Sequence, residues 1–182
     1  MDLNIQGLLN IGDLDKKIKQ LDTKIWKEEI QQKSTLTKYR SWKPAINEEE
    51  KLYGNGLDSA ILFRARTNTL DLQWRKKFKN EDTLCVLCRK EEETLEHFIL
   101  TCENLNSVRS DYIILMKPYP ENTENILKCL LLFQVESEES ILKNRKCLFR
   151  LWKEREKKIK ELELENSRNN NNVPDILRIQ PH

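Results

Sequence analysis

Apolar side chains near the amino end of the chain recur every three or four residues, which is the period of one helix face. The repeating positions are Leu14, Ile18, Leu21 and Ile25. Asp13 precedes the repeat and is predicted to be the N-cap, and the helix is expected to end at about Ser34. We therefore predict that residues 1–35 form an N-terminal amphipathic helix.

The rest of the chain also favours helices. Helical patterns are predicted over residues 46–53, 57–70, 103–116, 122–133 and 138–165. The chain has only four valines, and no run alternates apolar and polar residues for long enough to predict a sheet. The predicted fold class is therefore mainly α, a helical module with a small zinc knuckle and long flanking helices, and a short hairpin is expected only around the cysteines.

The helical module is assigned to residues 36–135, with the zinc knuckle at 81–105, and a charged C-terminal helix to residues 136–165. In that last helix Arg145 and Arg155 occupy positions that a coiled coil fills with apolar residues, so the coiled-coil signal is weak. The asparagine-rich run that follows cannot bury enough apolar surface to offset the entropy of ordering it. Residues 166–182 are therefore predicted to be a disordered tail.

Composition limits the classes of function. Basic and acidic residues nearly cancel, at 32 against 30, so net charge predicts neither a nucleic-acid binder nor an enzyme for acidic substrates. The amino-terminal sequence has no basic start before an apolar run, so no secretory signal is predicted. The longest apolar cluster, around residues 129–133, is far shorter than the roughly 20 residues that span a bilayer. We expect an intracellular protein, nuclear or cytoplasmic, with no membrane partner.

One cluster of residues carries recognisable chemistry. Cys85, Cys88, His97 and Cys102 have the spacing C-x2-C-x8-H-x4-C. In a chain with an odd number of cysteines and no signal, such a pair of cysteines favours metal over disulfides. Three thiolates and one imidazole complete a zinc tetrahedron, so we predict a closed, structural Zn²⁺ site without a position for catalytic water. The alternative is a set of buried thiols with a core histidine.

The remaining cysteines, Cys129 and Cys147, lie among apolar helical residues. They are interpreted as small core hydrophobes, since free cysteine is among the most buried residue types.

The zinc motif and the sequence before it resemble a known protein family. The stretches KSTLTKYRSWKPAI, LDSAILFRARTNTLDLQWR and CVLCRKEEETLEHFILTCENL, within residues 33–105, are similar to the region after the polymerase in non-LTR retrotransposon reverse transcriptases. That family has a cysteine and histidine zinc motif, whose matching positions here are the four ligands, with an arginine-bearing helix upstream at Arg64 and Arg66. The family often has glycine where this chain has Arg89. The resemblance implies a carboxyl-terminal fragment or a reused remnant of such an element.

The residues needed for polymerase chemistry are not apparent. The chain contains no Asp-Asp pair for magnesium and is too short for a palm domain, and its carboxylates do not fall on recognisable strands as in a ribonuclease H or endonuclease. We therefore expect no catalytic residues and no enzymatic activity.

Two hypotheses remain for function. The resemblance implies a nucleic-acid-binding accessory module that engages RNA or DNA. Its local support is a basic stretch with one acid, Asp71, and with Trp74 and Phe78 interleaved, a pattern that pairs with phosphates and stacks on bases. The predicted contact residues are Arg64, Arg66, Arg75, Lys76, Lys77 and Lys79. The same stretch also fits a solvated face whose aromatic rings turn into the core.

The alternative hypothesis is a zinc-braced scaffold that binds a protein partner through the terminal helices and binds no nucleic acid. The zinc loop, from Glu81 to Glu103, contains seven acids against two basic residues. Three thiolates on one zinc ion would add further negative charge, so the loop is expected to repel phosphate. In either hypothesis the zinc ion braces the fold and does not contact nucleic acid.

Overall fold

The computed structural model of the protein describes residues 11–43, 52–110, 122–134 and 137–171. The α-helices in these ranges are α1 Ile11–Gln31, α2 Thr37–Trp42, α3 Leu57–Arg66, α4 Thr123–Leu130 and α5 Glu138–Asn171. Short 3-10 helices cover Ser34–Leu36, Gln73–Lys79 and Glu103–Leu105, and residues 106–110 are also helical. No strand forms in the described ranges, which confirms the mainly α fold class.

The core lies between α3, α5 and the cysteine-rich segment, residues 85–102, that follows α3 along the chain. Leu62 of α3 and Leu148 and Leu151 of α5 are fully buried. Phe98 from the cysteine-rich segment meets Trp152 of α5 edge to face, with ring centroids 6.0 Å apart. The cysteine-rich segment therefore rests against α5, the longest helix in the described ranges.

The helix boundaries differ from the predicted ones in ways that local chemistry explains. Ile11 already belongs to helix α1, so Asp13 lies within the helix and does not cap it. Helix α3 ends at Arg66 because Asn68 takes φ 55, and the Thr69 N–H then returns to the Arg64 carbonyl at 2.7 Å.

The C-terminal helix is longer than predicted. It continues to Asn171, so residues 166–171 are helical and the predicted disorder is wrong for them. Adding residues to an existing helix carries no nucleation cost, and asparagine is only moderately unfavourable in a helix. The predicted tail beyond residue 171 lies outside the described residues, as do most of the predicted helix at 46–53 and residues 111–116 of the helix predicted at 103–116.

None of the helices in the described part of the chain has the length and apolar character needed to cross a membrane.

Candidate metal centre

The first two cysteines lie in a tight turn closed by backbone hydrogen bonds. Leu84 and Glu92 form an antiparallel bridge, and the Cys85 N–H donates to the Glu91 carbonyl at 2.8 Å. The Arg89 N–H donates to the Cys85 carbonyl at 2.9 Å. Arg89 takes φ 57, in the left-handed region that favours glycine, at the position where the resembling family often has glycine. The predicted hairpin is thus reduced to one bridge around the turn.

The other two ligands flank an unusually wide helical turn. His97–Thr101 is π-helical, and the Cys102 N–H donates to the His97 carbonyl at 2.8 Å. In an α-helix, residues five apart would point about 140° away from each other, because each residue turns the chain by about 100°. The wider i to i+5 turn brings the two side chains towards the same side. The π-turn therefore allows His97 and Cys102 to face the Cys85–Cys88 turn.

The four ligand atoms form a group of the size that a zinc ion requires. The Cys85 and Cys102 Sγ atoms are 3.8 Å apart, the Cys88 Sγ is 3.3 Å from His97 Nε2, and all four ligand atoms lie within 4.8 Å of one another. Tetrahedral bonds of about 2.3 Å to sulfur and about 2.0 Å to nitrogen give edges of about 3.8 Å between sulfurs and about 3.5 Å between sulfur and nitrogen. The arrangement therefore fits one metal ion, and it confirms that the four predicted ligands come together.

The outer nitrogen of His97 has its own partners, which sequence analysis did not identify. His97 Nδ1 lies 2.9 Å from Glu91 Oε2 and 3.1 Å from Thr101 Oγ1. A proton on Nδ1 that is donated to the carboxylate leaves the Nε2 lone pair directed at the thiols. Carboxylates in this role fix the tautomer and orientation of a metal-binding imidazole. Glu91 is therefore a positioning residue for the candidate ligand.

The two buried sulfurs differ in how readily they become thiolates. The pKa of the Cys85 thiol is raised by contact with the Cys102 sulfur and by burial, and the N–H groups of Cys88 and Leu87 only partly offset that rise. The pKa of Cys102 is lowered by its contact with Cys85 and, against burial, by the Asn104 N–H. Metals bind thiolates, so N–H groups directed at the sulfurs favour the binding form of these ligands.

A buried arginine holds the carboxyl end of the π-turn. Arg109 donates from Nε to the Ile99 carbonyl at 2.9 Å and from Nη2 to the Cys102 carbonyl at 2.7 Å, and it also bonds the Asn106 side chain. Burial lowers the pKa of Arg109, and the charge of Cys102 opposes that shift. Arg109 thus supplies donors to carbonyls at a helix end and a positive charge near the thiols.

A second buried arginine joins the metal centre to α5. Arg155 donates from Nε to Glu93 Oε1 and from Nη2 to Glu93 Oε2, each at 2.8 Å. The Gln73 N–H donates to Oε2 at 2.9 Å, and the Cys85 Sγ lies 3.9 Å from Oε1. We call this two-bond pair the Glu93–Arg155 clamp. It connects α5 with the turn that begins at Gln73 and lies beside the candidate ligand Cys85.

Most acids of the zinc loop have a cationic or histidine partner. The pairs are Asp82 with Arg89, Glu91 with His97, Glu93 with Arg155, Glu96 with Lys38 and Glu103 with Lys90. Glu91 pairs with a neutral imidazole, but the other four partners are cations that offset the charge locally, so the loop repels a phosphate chain less than its composition predicts.

The prediction that Arg66 contacts nucleic acid is wrong. Its side chain is buried, with 2% of the residue exposed, in the last turn of α3. Its Nη1 donates to the Leu131 and Leu132 carbonyls at 2.9 and 2.7 Å, and the guanidinium carbon lies 4.1 Å from the centre of the Phe133 ring. Arg66 thus caps the carboxyl end of α4, where orphan carbonyls attract cations.

The other predicted contact residues are at least partly accessible. Arg64, Lys76, Lys77 and Lys79 are exposed. Arg75 is half-buried and donates from Nη1 to the Thr69 carbonyl at 3.0 Å. Phe78 is 71% exposed, whereas Trp74 is half-buried, and their rings meet edge to face at 5.9 Å. The three lysines and Phe78 belong to one short 3-10 helix, Gln73–Lys79, which we call the basic turn.

Cys129 and Cys147 are both buried and lie outside the metal cluster, as predicted. The Cys129 thiol donates to the side chain of the exposed Gln134, with 3.4 Å between Sγ and Oε1.

Sequence analysis missed Glu91, Glu93, Arg109 and Arg155 as supporting residues. The available signal was a charged residue at an apolar position, as for Arg155 in the seam of the last helix, because such a residue needs a buried partner.

Comparisons with protein-family models, with curated proteins and with solved structures found no match. The site that the structure presents is a closed Cys3His cluster, able to hold a metal ion and joined to α5 by a buried ion pair.

Proposed function

We propose that Cys85, Cys88, His97 and Cys102 hold one structural Zn²⁺ ion. The observation that carries the proposal is the approach of all four ligand atoms to within 4.8 Å of one another. Thiolate and imidazole ligands suit zinc, whereas magnesium and calcium bind oxygen. Four protein ligands leave no position for water, so the ion stabilises the fold and performs no hydrolysis.

Metal analysis of the purified chain tests this assignment. One equivalent of zinc is expected in the unsubstituted chain, and Cys88→Ser and His97→Ala should each lose it. Cys129→Ser is the matched control, since it removes a buried thiol outside the cluster and should retain zinc. Full zinc content in both ligand variants would refute the assignment. Substitution with cobalt should give the visible spectrum of a tetrahedral thiolate site, which separates metal in this cluster from metal bound elsewhere.

We further propose that the zinc-braced module is a non-catalytic nucleic-acid-binding accessory module, as the resemblance to the post-polymerase region of non-LTR reverse transcriptases implies. The contact surface consists of the basic turn and Arg64. It presents three exposed lysines beside the exposed ring of Phe78, a combination suited to phosphates and to base stacking.

The bond from the Gln73 N–H to Glu93 supports this proposal, because it fixes the start of the basic turn to the metal module. The ion would thereby orient the contact surface without touching nucleic acid.

Salt dependence of binding provides the test. If Arg64, Lys76, Lys77 and Lys79 neutralise four phosphates, log affinity should fall with log salt at a slope of about −2.8 for single strands or about −3.6 for duplex DNA. Each lysine replaced by alanine should reduce the slope by about one. Phe78→Ala should weaken single-strand binding by about 1 to 3 kcal/mol and leave the slope unchanged.

A matched control uses exposed lysines of α1. Replacing Lys16, Lys19 and Lys27 by alanine removes the same charge as the triple change in the basic turn and should leave binding nearly intact. Equal loss in both triple variants would show that binding depends on general charge. That result, or no binding at all by the unsubstituted chain, would refute the proposed surface.

The scaffold hypothesis is the second candidate, and a specific observation favours it. Helix α1 presents a row of exposed apolar side chains that no described part of the chain covers. A zinc-loaded chain that binds neither RNA nor DNA, yet binds a different protein through α1, would support this alternative.

A further inference from the structure

The apolar row of α1 faces away from the other segments that the structure describes. Leu14, Ile18, Leu21 and Ile25 are 45, 48, 57 and 44% exposed. Helix α1 buries or half-buries Thr23, Trp26 and Ile30. At about 100° per residue, the centre of this buried face lies about 140° around the helix from the centre of the apolar row. Helix α1 thus contacts its own module through one face and leaves its most apolar face to solvent, an arrangement typical of an interaction surface.

The spacing of the row is that of a coiled coil. With Ile18 and Ile25 at the a positions of a heptad, Leu14 and Leu21 fall at the d positions. β-Branched residues at a and leucine at d favour two parallel strands over larger bundles. The 21 residues of α1 form about three heptads and extend about 31 Å, which is long enough for a short pair.

Charged residues beside the row indicate what the partner is. Lys17 and Lys24 occupy the g positions, and Asp22 and Glu29 occupy the e positions five residues after them. All four are exposed. In a parallel pair each g residue lies opposite the e residue of the next heptad on the other strand, so every contact between two copies joins a lysine to an acid. In an antiparallel pair of copies, g meets g and e meets e, and every contact would join like charges.

We propose that α1 is a dimerisation helix that pairs in parallel with α1 of a second copy of this chain. The Ile and Leu row forms the dry seam, while Lys17 and Lys24 of each copy pair with Asp22 and Glu29 of the other. The surface complements itself in both shape and charge, which is the requirement for a two-fold symmetric interface. This inference goes beyond the proposed function and is independent of it.

Sedimentation equilibrium of the full chain, purified with its metal, tests the proposal. A monomer–dimer equilibrium is expected. Changing both Lys17→Glu and Lys24→Glu makes all four intermolecular pairs repulsive and should weaken dimerisation about 50-fold, since each pair changes by about 0.6 kcal/mol and 1.4 kcal/mol is a factor of ten. The opposite variant, Asp22→Lys with Glu29→Lys, should also be mainly monomeric. An equimolar mixture of the two variants should recover a dimer that contains one copy of each.

Two matched changes separate this surface from general charge and from misfolding. Lys16→Glu with Lys27→Glu alters net charge by the same amount at heptad positions f and c, away from the seam, and should dimerise normally. Ile18→Asn should weaken the dimer while metal content and helical signal stay unchanged, because the side chain is exposed in the single chain. The proposal would be overturned if the unsubstituted chain stayed monomeric at all concentrations. It would also be overturned if the Lys17/Lys24 variant and the Lys16/Lys27 variant changed dimerisation to the same extent.

Discussion

The Glu93–Arg155 clamp allows a quantitative test of how much the contact between the Cys3His cluster and α5 contributes to the free energy of unfolding. Arg155→Met removes the cation but keeps an unbranched apolar side chain near Trp152, over whose ring the guanidinium lies at 5.1 Å. The Glu93 side chain is only 1% exposed, so the variant leaves a buried carboxylate without its cation. Its remaining donor would be the Gln73 N–H. The resulting charge imbalance lies beside Cys85.

The expected cost follows from burial. Removing one partner of a buried ion pair costs about 3 to 5 kcal/mol, whereas neutralising both partners often costs little. We therefore expect Arg155→Met to reduce the free energy of unfolding by about 3 to 5 kcal/mol. At about 2 to 4 °C per kcal/mol, the thermal midpoint should fall by roughly 6 to 20 °C. Arg155→Met combined with Glu93→Gln should recover at least about 2 kcal/mol of this loss, because the amide oxygen can still accept from Gln73.

Urea unfolding of the metal-loaded chain, followed by helical circular dichroism, measures these terms as a double-mutant cycle. The matched control is the pair Lys153 and Glu156 on the same helix, which lie 3.0 Å apart with side chains 55% and 37% exposed. Its cycle of Lys153→Met and Glu156→Gln should give a coupling below about 0.5 kcal/mol. A coupling of similar size in both cycles would refute the argument that burial makes the clamp important.

Other substitutions test the remaining contacts. Arg66→Met should destabilise the fold by about 2 to 4 kcal/mol, because it leaves two buried carbonyls without donors, while Arg64→Met should change stability by less than about 0.5 kcal/mol; equal effects in urea unfolding would contradict the burial argument. Glu91→Gln should weaken zinc binding about tenfold in a competition titration with a chromophoric chelator, and Glu92→Gln, the control, should not. Chelation should lower the thermal midpoint, and adding zinc but not magnesium should restore it; a midpoint unaffected by chelation would argue against a structural ion.

Much of the metal cluster could be predicted from sequence, because ligand type and spacing are local properties. The C-x2-C pair specifies a tight turn, and the four side chains match the donors that zinc prefers. The spacing of His97 and Cys102 also contained an unused signal, since residues five apart do not share a face of an α-helix. Only a wider turn brings them together, and the structure has a π-turn there.

Whether each arginine is buried or exposed could not be predicted in the same way. Arg64 and Arg66 look equivalent in sequence, yet the first is exposed and the second caps α4 from 65 residues away along the chain. Arg145, like Arg155, is charged at an apolar position of the last helix, and it pairs with Asp58 of α3 at 2.6 Å. Arg66 and Arg155 are buried and Arg145 is half-buried because distant segments supply matching oxygens, and a buried charge without such a partner is too costly to persist.

Sequence alone predicts the helical class, the amphipathic character of α1 and the four residues of the Cys3His cluster, since each depends on residues close together along the chain. The folded arrangement sets which positive charges remain available to a partner. It placed Arg66, Arg109 and Arg155 inside the protein and left the lysines of the basic turn in solvent. The physical reason is that hydrophobic periodicity and ligand spacing act locally, whereas the burial of a charge depends on the carbonyls and carboxylates that the folded chain brings around it.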